Sequence, residues 1–304
     1  MSTERLSKIK PVLEIRSRIL QAVRKFFTDR DFIEVETPVR LPAPALELHI
    51  DAEPSGDEYL RTSPELHMKR LLAGGYERIF QMGPCFRREE RGRHHNPEYT
   101  MLEWYRTKAD YTDMIVDAKA LLGFVLEEVL NNTGFVYKGN RIEILPVWEC
   151  FMVEEVFMKF TGWNPITSFD ANRFDVDLIE KVQPNLPVNC PVILKDYPAQ
   201  AAAFARCKTG EPAVAERWEL YVGGMELANA FSELADPAEQ RLRFENCAAD
   251  RAKLGKEVYP LDEKFLSALE DGMPQSGGVA LGIDRLVMLM TNSESIDEVR
   301  AFCV

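Results

Sequence analysis

The chain has 304 residues, long enough for one large domain or two ordinary ones. With 46% hydrophobic and 28% charged residues its composition is globular, which excludes a disordered, collagen-like or coiled-coil chain. Its 37 Lys and Arg against 49 Asp and Glu give a formal charge of −12, which argues against a protein that coats nucleic acid but leaves room for a local basic patch.

In chain order, residues 1–13 read as a short polar lead-in ending at Pro11. From Glu14 the spacing of Ile15, Ile19, Leu20, Val23, Phe26 and Phe27 predicts a helix that stops near Asp29–Asp31. Phe32–Val35 reads as a short strand closed by Pro38, and 40–58 as loop. Tyr59–Thr62 suggests another short strand, and Pro64 opens a helix continuing over Glu65–Leu72. Two strands follow, Ile79–Arg87 and Tyr99–Arg106, joined by the polar loop 89–98. On the second, Met101, Glu103 and Tyr105 alternate with Leu102 and Trp104.

Asp110 caps a long helix with apolar positions Ile115, Leu122, Val125 and Val129, ending at Asn131–Asn132. Residues 135–200 are mixed, with a helix expected around 149–160. Trp218–Val222 and Glu226–Phe231 form a hairpin around Gly223–Gly224, and Pro237–Gly255 reads as a charged helix. Gly277–Ile283 is a glycine-marked strand, and Asp284–Thr291 begins the last helix. Nothing reads as a linker, so one domain is expected. Runs of strands with helices around them predict an α+β fold on an antiparallel sheet.

The cysteines Cys85, Cys150, Cys190, Cys207, Cys247 and Cys303 include no CxxC pair, so free buried thiols in a reducing cytosol are expected. The N-terminus has no apolar core for a signal peptide, and no stretch of about 20 uncharged apolar residues exists. A cytoplasmic protein without a membrane span is expected.

Three constellations carry chemistry. The first is Phe86-Arg87-Arg88-Glu89, a loop, then His95-Asn96-Pro97-Glu98-Tyr99. If the strand reaches Glu89, Arg87 and Glu89 share a face; a guanidinium there takes a phosphate bidentately, and Tyr99 offers a ring for a purine. The second is Glu219, Glu226 and Glu233, seven apart with Asn229 among them. Carboxylates converging in so apolar a segment call for cations: magnesium, a bound ammonium, or both. The third is Ser276 to Arg285, where small residues let a ligand lie against a strand and Arg285 meets a phosphate. Each alone also fits a bland reading: a salt-bridged hairpin, an acidic edge strand, close backbone packing. Together they describe ATP bound on a sheet.

These motifs resemble the catalytic domain of class II aminoacyl-tRNA synthetases, in the lysyl branch. Phe32 to Pro38 resembles motif 1, Phe86 to Glu103 motif 2, with the lysyl run His95-Asn96-Pro97-Glu98, and Gly278 to Arg285 motif 3. With 13 residues before the first helix, no anticodon-binding OB domain is expected, and a stand-alone core is similar to the bacterial elongation factor P–lysine ligases. That branch shares alanine at Ala280, where lysyl-tRNA synthetases have glycine, which suits a β-amino acid.

The resemblance implies ATP and Mg2+, lysine or (R)-β-lysine activated as an adenylate, transfer to a lysine of elongation factor P, and no anticodon recognition. It implies a homodimer through motif 1. It implies catalytic roles for Arg87 and Arg285, and nucleotide contacts by Arg87, Arg88, Glu89, His95, Asn96, Tyr99, Glu226, Leu227, Gly282 and Arg285. Glu219 and Glu226 would bind the metal. Ser63, Pro64, Glu65, Glu103, Tyr105, Asn229, Phe231, Glu233 and Ala280 would line the amino-acid pocket. Arg88, Tyr99 and Ala230 depart from the usual asparagine, phenylalanine and glycine. A tRNA-charging enzyme, an asparagine synthetase of this fold and a non-catalytic amino-acid sensor are the alternatives.

Overall fold

The computed structural model describes residues 3–303. Helix α1 runs Thr3–Thr28, so the expected lead-in over 1–13 is helical from its third residue and Pro11 lies inside a helix; residues 1 and 2 of that lead-in lie outside the described residues. The proline removes one backbone hydrogen bond. Tertiary contacts outweigh this: Ile9 is buried, and the Arg5 guanidinium donates to the carbonyls of Asp297, Arg300 and Ala301 near the other end of the chain.

β1 (Ile33–Glu34) follows as foreseen. The stretch expected to be loop holds β2 (Arg40–Leu41) and β3 (Pro54–Ser55), which flank β4 (Glu58–Leu60) in a small sheet. Strands of two or three residues are too short for alternation to mark them. α2 (Glu65–Ala73) precedes the hairpin β5 (Arg78–Phe86) and β6 (Glu98–Thr107), paired from Arg78↔Arg106 to Phe86↔Glu98.

α3 (Tyr111–Leu130) starts on a reciprocal cap: the Asp110 carboxylate accepts from the backbone N–H of Thr112 and Asp113, and Asp113 accepts from that of Asp110. The helix ends at Asn131 in the left-handed region. Asp110→Ala is expected to cost about 0.5–2 kcal/mol, read from the urea midpoint; an unmoved midpoint would remove the cap's role.

β7 (Gly134–Tyr137) and β8 (Asn140–Glu143) form a separate hairpin. The helix expected around 149–160 divides into β9 (Glu149–Met152) and α4 (Val153–Thr161). β9 pairs in parallel with β10 (Val192–Pro198), and that ladder overrides the helical spacing locally. α5 (Ala171–Asp177) lies between them. β11 (Cys207–Lys208), β12 (Glu211–Val222) and β13 (Met225–Ser232) are followed by α6 (Pro237–Lys253), α7 (Glu263–Glu270), β14 (Ser276–Gly282) and α8 (Ile283–Thr291). α5 and α7 were not foreseen; each has only two or three buried positions, too few to set a period.

The fold is α+β. A nine-stranded sheet runs β1-β5-β6-β14-β13-β12-β10-β9 with β11 on β12, antiparallel except for the parallel pairs at its two ends, β1–β5 and β9–β10. One face is apolar: Leu102, Trp104, Trp218, Leu220, Ala228, Ala230, Val279 and Leu281 are buried with the inward faces of α1, α3 and α8. The opposite face carries the polar side chains. All six cysteines are free, but Cys85 is the one fully buried and Cys150 is exposed, so the expectation of buried thiols holds for Cys85 alone.

Candidate functional site

Strand pairing assembles the polar face. Opposed residues share a face, so Gln81, Glu103, Ala280, Asn229 and Glu219 form one row across five strands. Tyr105, Gly278, Phe231 and Arg217 form the next. The odd spacing of Glu219 and Glu226 is absorbed by a bulge: Leu220 opposes Ala228 but Tyr221 opposes Glu226, which leaves Leu227 as the extra residue. Glu226 thereby joins Glu219 on the site face.

One cleft is lined by Arg87, His95, Asn96, Tyr99, Glu226, Leu227, Asn229, Ala280, Gly282 and Arg285. Arg87 stands just past β5, its backbone N–H on the Pro97 carbonyl at 2.9 Å. Its guanidinium lies 5.2 Å from the Tyr99 ring centroid and 3.6 Å from the Glu90 carboxylate, and its buried Nε has no hydrogen-bond partner. The Tyr99 hydroxyl donates to the Thr62 carbonyl at 2.8 Å, and Asn96 Nδ2 to the Glu98 carbonyl at 2.7 Å. These contacts order the loop between β5 and β6 over the cleft.

Arg285, in the first turn of α8, donates to the Glu226 carbonyl at 2.7 Å, lies 3.3 Å from its carboxylate and meets His95 Nε2 at 2.7 Å. Since arginine only donates, His95 accepts there. Burial and the Arg285 charge push its pKa below the usual histidine range, in keeping with a neutral ring.

Arg88 and Glu89 go elsewhere. β5 ends at Phe86, so Arg87 and Glu89 lie in the following turn rather than as a same-face strand pair, with Glu89 at φ 63°. Arg88 and Glu89 line a separate surface hollow with Asp51, Lys256, Glu257 and Tyr259.

Beside the cleft lies a buried acidic pocket. Ser63 Oγ accepts from the Glu65 N–H at 2.9 Å, placing Pro64 at the start of α2, and donates to Glu103 at 2.7 Å. The other Glu103 oxygen accepts from the Tyr105 hydroxyl at 2.8 Å. Glu65 and Glu233 converge on one cation from the chain itself, Lys69, at 2.6 and 2.5 Å. Asn229 Oδ1 and Glu233 Oε1 are buried without hydrogen-bond partners, and Phe231 sits beside them on β13. A buried acceptor with no donor is costly, so these atoms are set for a ligand that donates.

Burial, the nearby Glu65 charge and little else push the Glu103 carboxyl from 4.5 to about 7. A group whose folded pKa is raised contributes stability that is complete below its unfolded pKa and is lost as pH rises through the folded one. The melting temperature of the ligand-free protein should therefore carry a fall between pH 4.5 and about 7 from this group. Glu103→Gln should flatten that part in a melting series; an unchanged slope would contradict it.

Glu219 accepts from Tyr197 at 2.7 Å and Tyr221 at 2.5 Å and pairs with Arg217 at 2.5 Å. A carboxylate has about four acceptor sites, so one remains beside half-exposed Glu226. Among the described residues no three His, Cys, Asp or Glu side chains form a metal cluster. That suits magnesium, which takes one or two carboxylates and is otherwise held by phosphates and water.

The family of class II tRNA synthetases (D, K and N) matches residues 1–304. The chain belongs to that family. It is 39% identical to the lysine–tRNA ligase of Moorella thermoacetica over 97% of this chain, and spans 65% of that protein's length. It is 40% identical to proteins named elongation factor P–(R)-beta-lysine ligase from Hamiltonella defensa and Proteus mirabilis, over 95% of this chain and 94% of each relative.

Within this class II core, sequence reasoning passed over Lys69, Arg217 and Glu90. Lys69 is four residues after Glu65 on an otherwise apolar helical stripe (Leu66, Met68, Leu72), a spacing that would have flagged a buried pair. Arg217 precedes Trp218 on a strand and carries no such cue.

Proposed function

We propose that this chain is one catalytic domain acting as an ATP-dependent, AMP-forming ligase. It activates lysine or (R)-β-lysine as the adenylate and transfers it to a lysine ε-amine of elongation factor P, in the cytoplasm and as a homodimer through motif 1. One observation carries the reading: Glu65, Glu103 and Glu233 converge in a buried pocket beside the cleft that holds Arg87 and Arg285. Similarity to the two named ligases along nearly their whole length supports it.

The substrate carboxylate attacks the α-phosphorus, the bond to the β-phosphate oxygen breaks, and pyrophosphate leaves. Arg87 spreads the charge developing on the α-phosphate, and Arg285 turns from His95 and Glu226 to the polyphosphate. Tyr99 supplies the ring face for adenine. Glu226, with Glu219, would hold magnesium, which supplies charge neutralisation on the phosphates. In the second step the acceptor amine attacks the adenylate carbonyl, AMP departs and the nitrogen loses a proton. Positioning suffices, with no covalent enzyme intermediate.

Glu233→Gln is expected to weaken apparent amino-acid affinity about tenfold while changing that for ATP little. Equal effects on both would remove Glu233 as an ammonium ligand. Mass spectrometry of elongation factor P and of tRNA, each incubated with ATP and either lysine isomer, tests the whole reading. A lysyl adduct on the factor supports it, and aminoacylated tRNA alone makes the chain a tRNA-charging enzyme.

A further inference from the structure

Lys69 is wholly buried on a helix whose other inward residues are Glu65 and the apolar Leu66, Met68 and Leu72, and it bridges two segments far apart in the chain: Glu65 one turn earlier and Glu233 just past β13. Its ammonium also lies 4.9 Å from the Phe204 ring centroid. The groups facing it are Glu65 on its own helix, Glu103 and Tyr105 on β6, and Glu233; Cys85 on β5 and Glu47 of the β2–β3 connection stand in the next circle. In that outer circle Arg87 and Arg217 act on Glu47, and Arg61 and Arg87 on Cys85.

We propose that Lys69 is the resident counter-ion of the amino-acid pocket, a positioning residue that holds the Glu233 carboxyl in place and yields it to a substrate ammonium, and so tunes the site to diamino acids. The proposal rests on reading this pocket as the amino-acid site. Three carboxylates and one ammonium leave −3 + 1 = −2 when ionised, which matches a substrate bearing two ammonium groups whose carboxylate goes to the α-phosphate. The Glu103 oxygens are already engaged by Ser63 and Tyr105, whereas Glu233 Oε1 is buried and unpartnered, so Glu233 is the acid with an acceptor to offer.

Without Lys69 the remaining acids crowd like charges in a dry site, and such groups take up protons. Burial already holds Glu233 above the ordinary carboxylate range, with Lys69 opposing the rise. Burial pushes Glu233 up to about 8 even with Lys69 beside it, so losing that opposition would carry it higher still and leave it a neutral acid, with a weaker claim on an ammonium over an apolar side chain, across more of the pH range.

The test is ATP–pyrophosphate exchange on the full chain with L-lysine, (R)-β-lysine and norleucine, which lacks the second amine, from pH 6 to 9. For Lys69→Met we expect the amino-acid KM at pH 7 to rise about tenfold or more with the ATP KM little changed. The pH at which amino-acid binding half-improves should move up by about one unit, and the preference for lysine over norleucine should drop about tenfold. Lys69→Arg, which keeps the charge, should keep the wild-type pH midpoint.

Removing one member of a buried pair can unfold a protein, whereas replacing both by neutral groups is better tolerated. The double variant K69M/E65Q keeps the same net charge, so it should fold and recover the wild-type pH midpoint even where amino-acid affinity stays reduced. Unmoved pH midpoints in Lys69→Met, or in its absence a double variant with a raised midpoint, overturn the proposal. A wild-type chain active with lysine beside an insensitive Lys69→Met rejects this role alone. A wild-type chain that exchanges with neither lysine isomer rejects the functional reading and this role with it.

Discussion

Arg87→Ala is expected to lower lysine-dependent ATP–pyrophosphate exchange about 10²–10³-fold, the size of effect seen when one preorganised donor to a developing oxyanion is removed. The fold should survive, because its side-chain partners, the Tyr99 ring at 5.2 Å and the Glu90 carboxylate at 3.6 Å, are loosely held. Its Nε is buried and partnerless, so that donor is unspent until phosphate arrives. Arg87→Lys should fall nearly as far, since a point ammonium cannot grip two phosphate oxygens. Near-normal exchange in Arg87→Ala, with an unchanged circular dichroism spectrum, would sink the assignment of this cleft to ATP.

The reach of sequence reasoning follows physical lines. Asp110 and Asn131 bound α3 as expected because capping is local chemistry. The hairpin of β5 and β6 was legible from alternation and its connection from polarity, but β5 ends one residue earlier, at Phe86, and Arg88 and Glu89 line a separate hollow from Arg87. Strand register is a tertiary property. Glu219 and Glu226 meet on one face through a bulge at Leu227 that no spacing rule marks, although the Gly223–Gly224 turn beside it was visible. Lys69 was missed although its local partner Glu65 is legible four residues earlier; its second partner, Glu233, lies far along the chain and is brought to it only by the fold. The long apolar stripe of α1 was clear, but its polar first turns are helical through Arg5 and Ile9, contacts made at long range.

Gly278→Ala is expected to have the next largest effect, and for a reason different from the one its sequence suggests. A glycine-rich strand reads as a surface on which a ligand lies close. In the structure the space above Gly278 belongs to the protein: a Cβ there would fall 2.2 Å from Glu233 Oε1 and 2.3 Å from the Tyr105 ring. Either Glu233 leaves its place opposite Lys69 or the ring tilts and breaks its bond to Glu103, and both distort the acidic pocket. Overpacking of this kind costs about 1–3 kcal/mol, which taken from substrate binding is about a 10–100-fold loss of amino-acid affinity. ATP affinity should hardly change, because the atoms nearest that methyl all belong to Glu233 and Tyr105 of the acidic pocket. Exchange assays titrated separately in lysine and ATP read the two effects apart. Equal losses for both substrates would mean that Gly278 serves the sheet as a whole; a selective loss places the glycine in service of the Glu233 and Glu103 carboxylates.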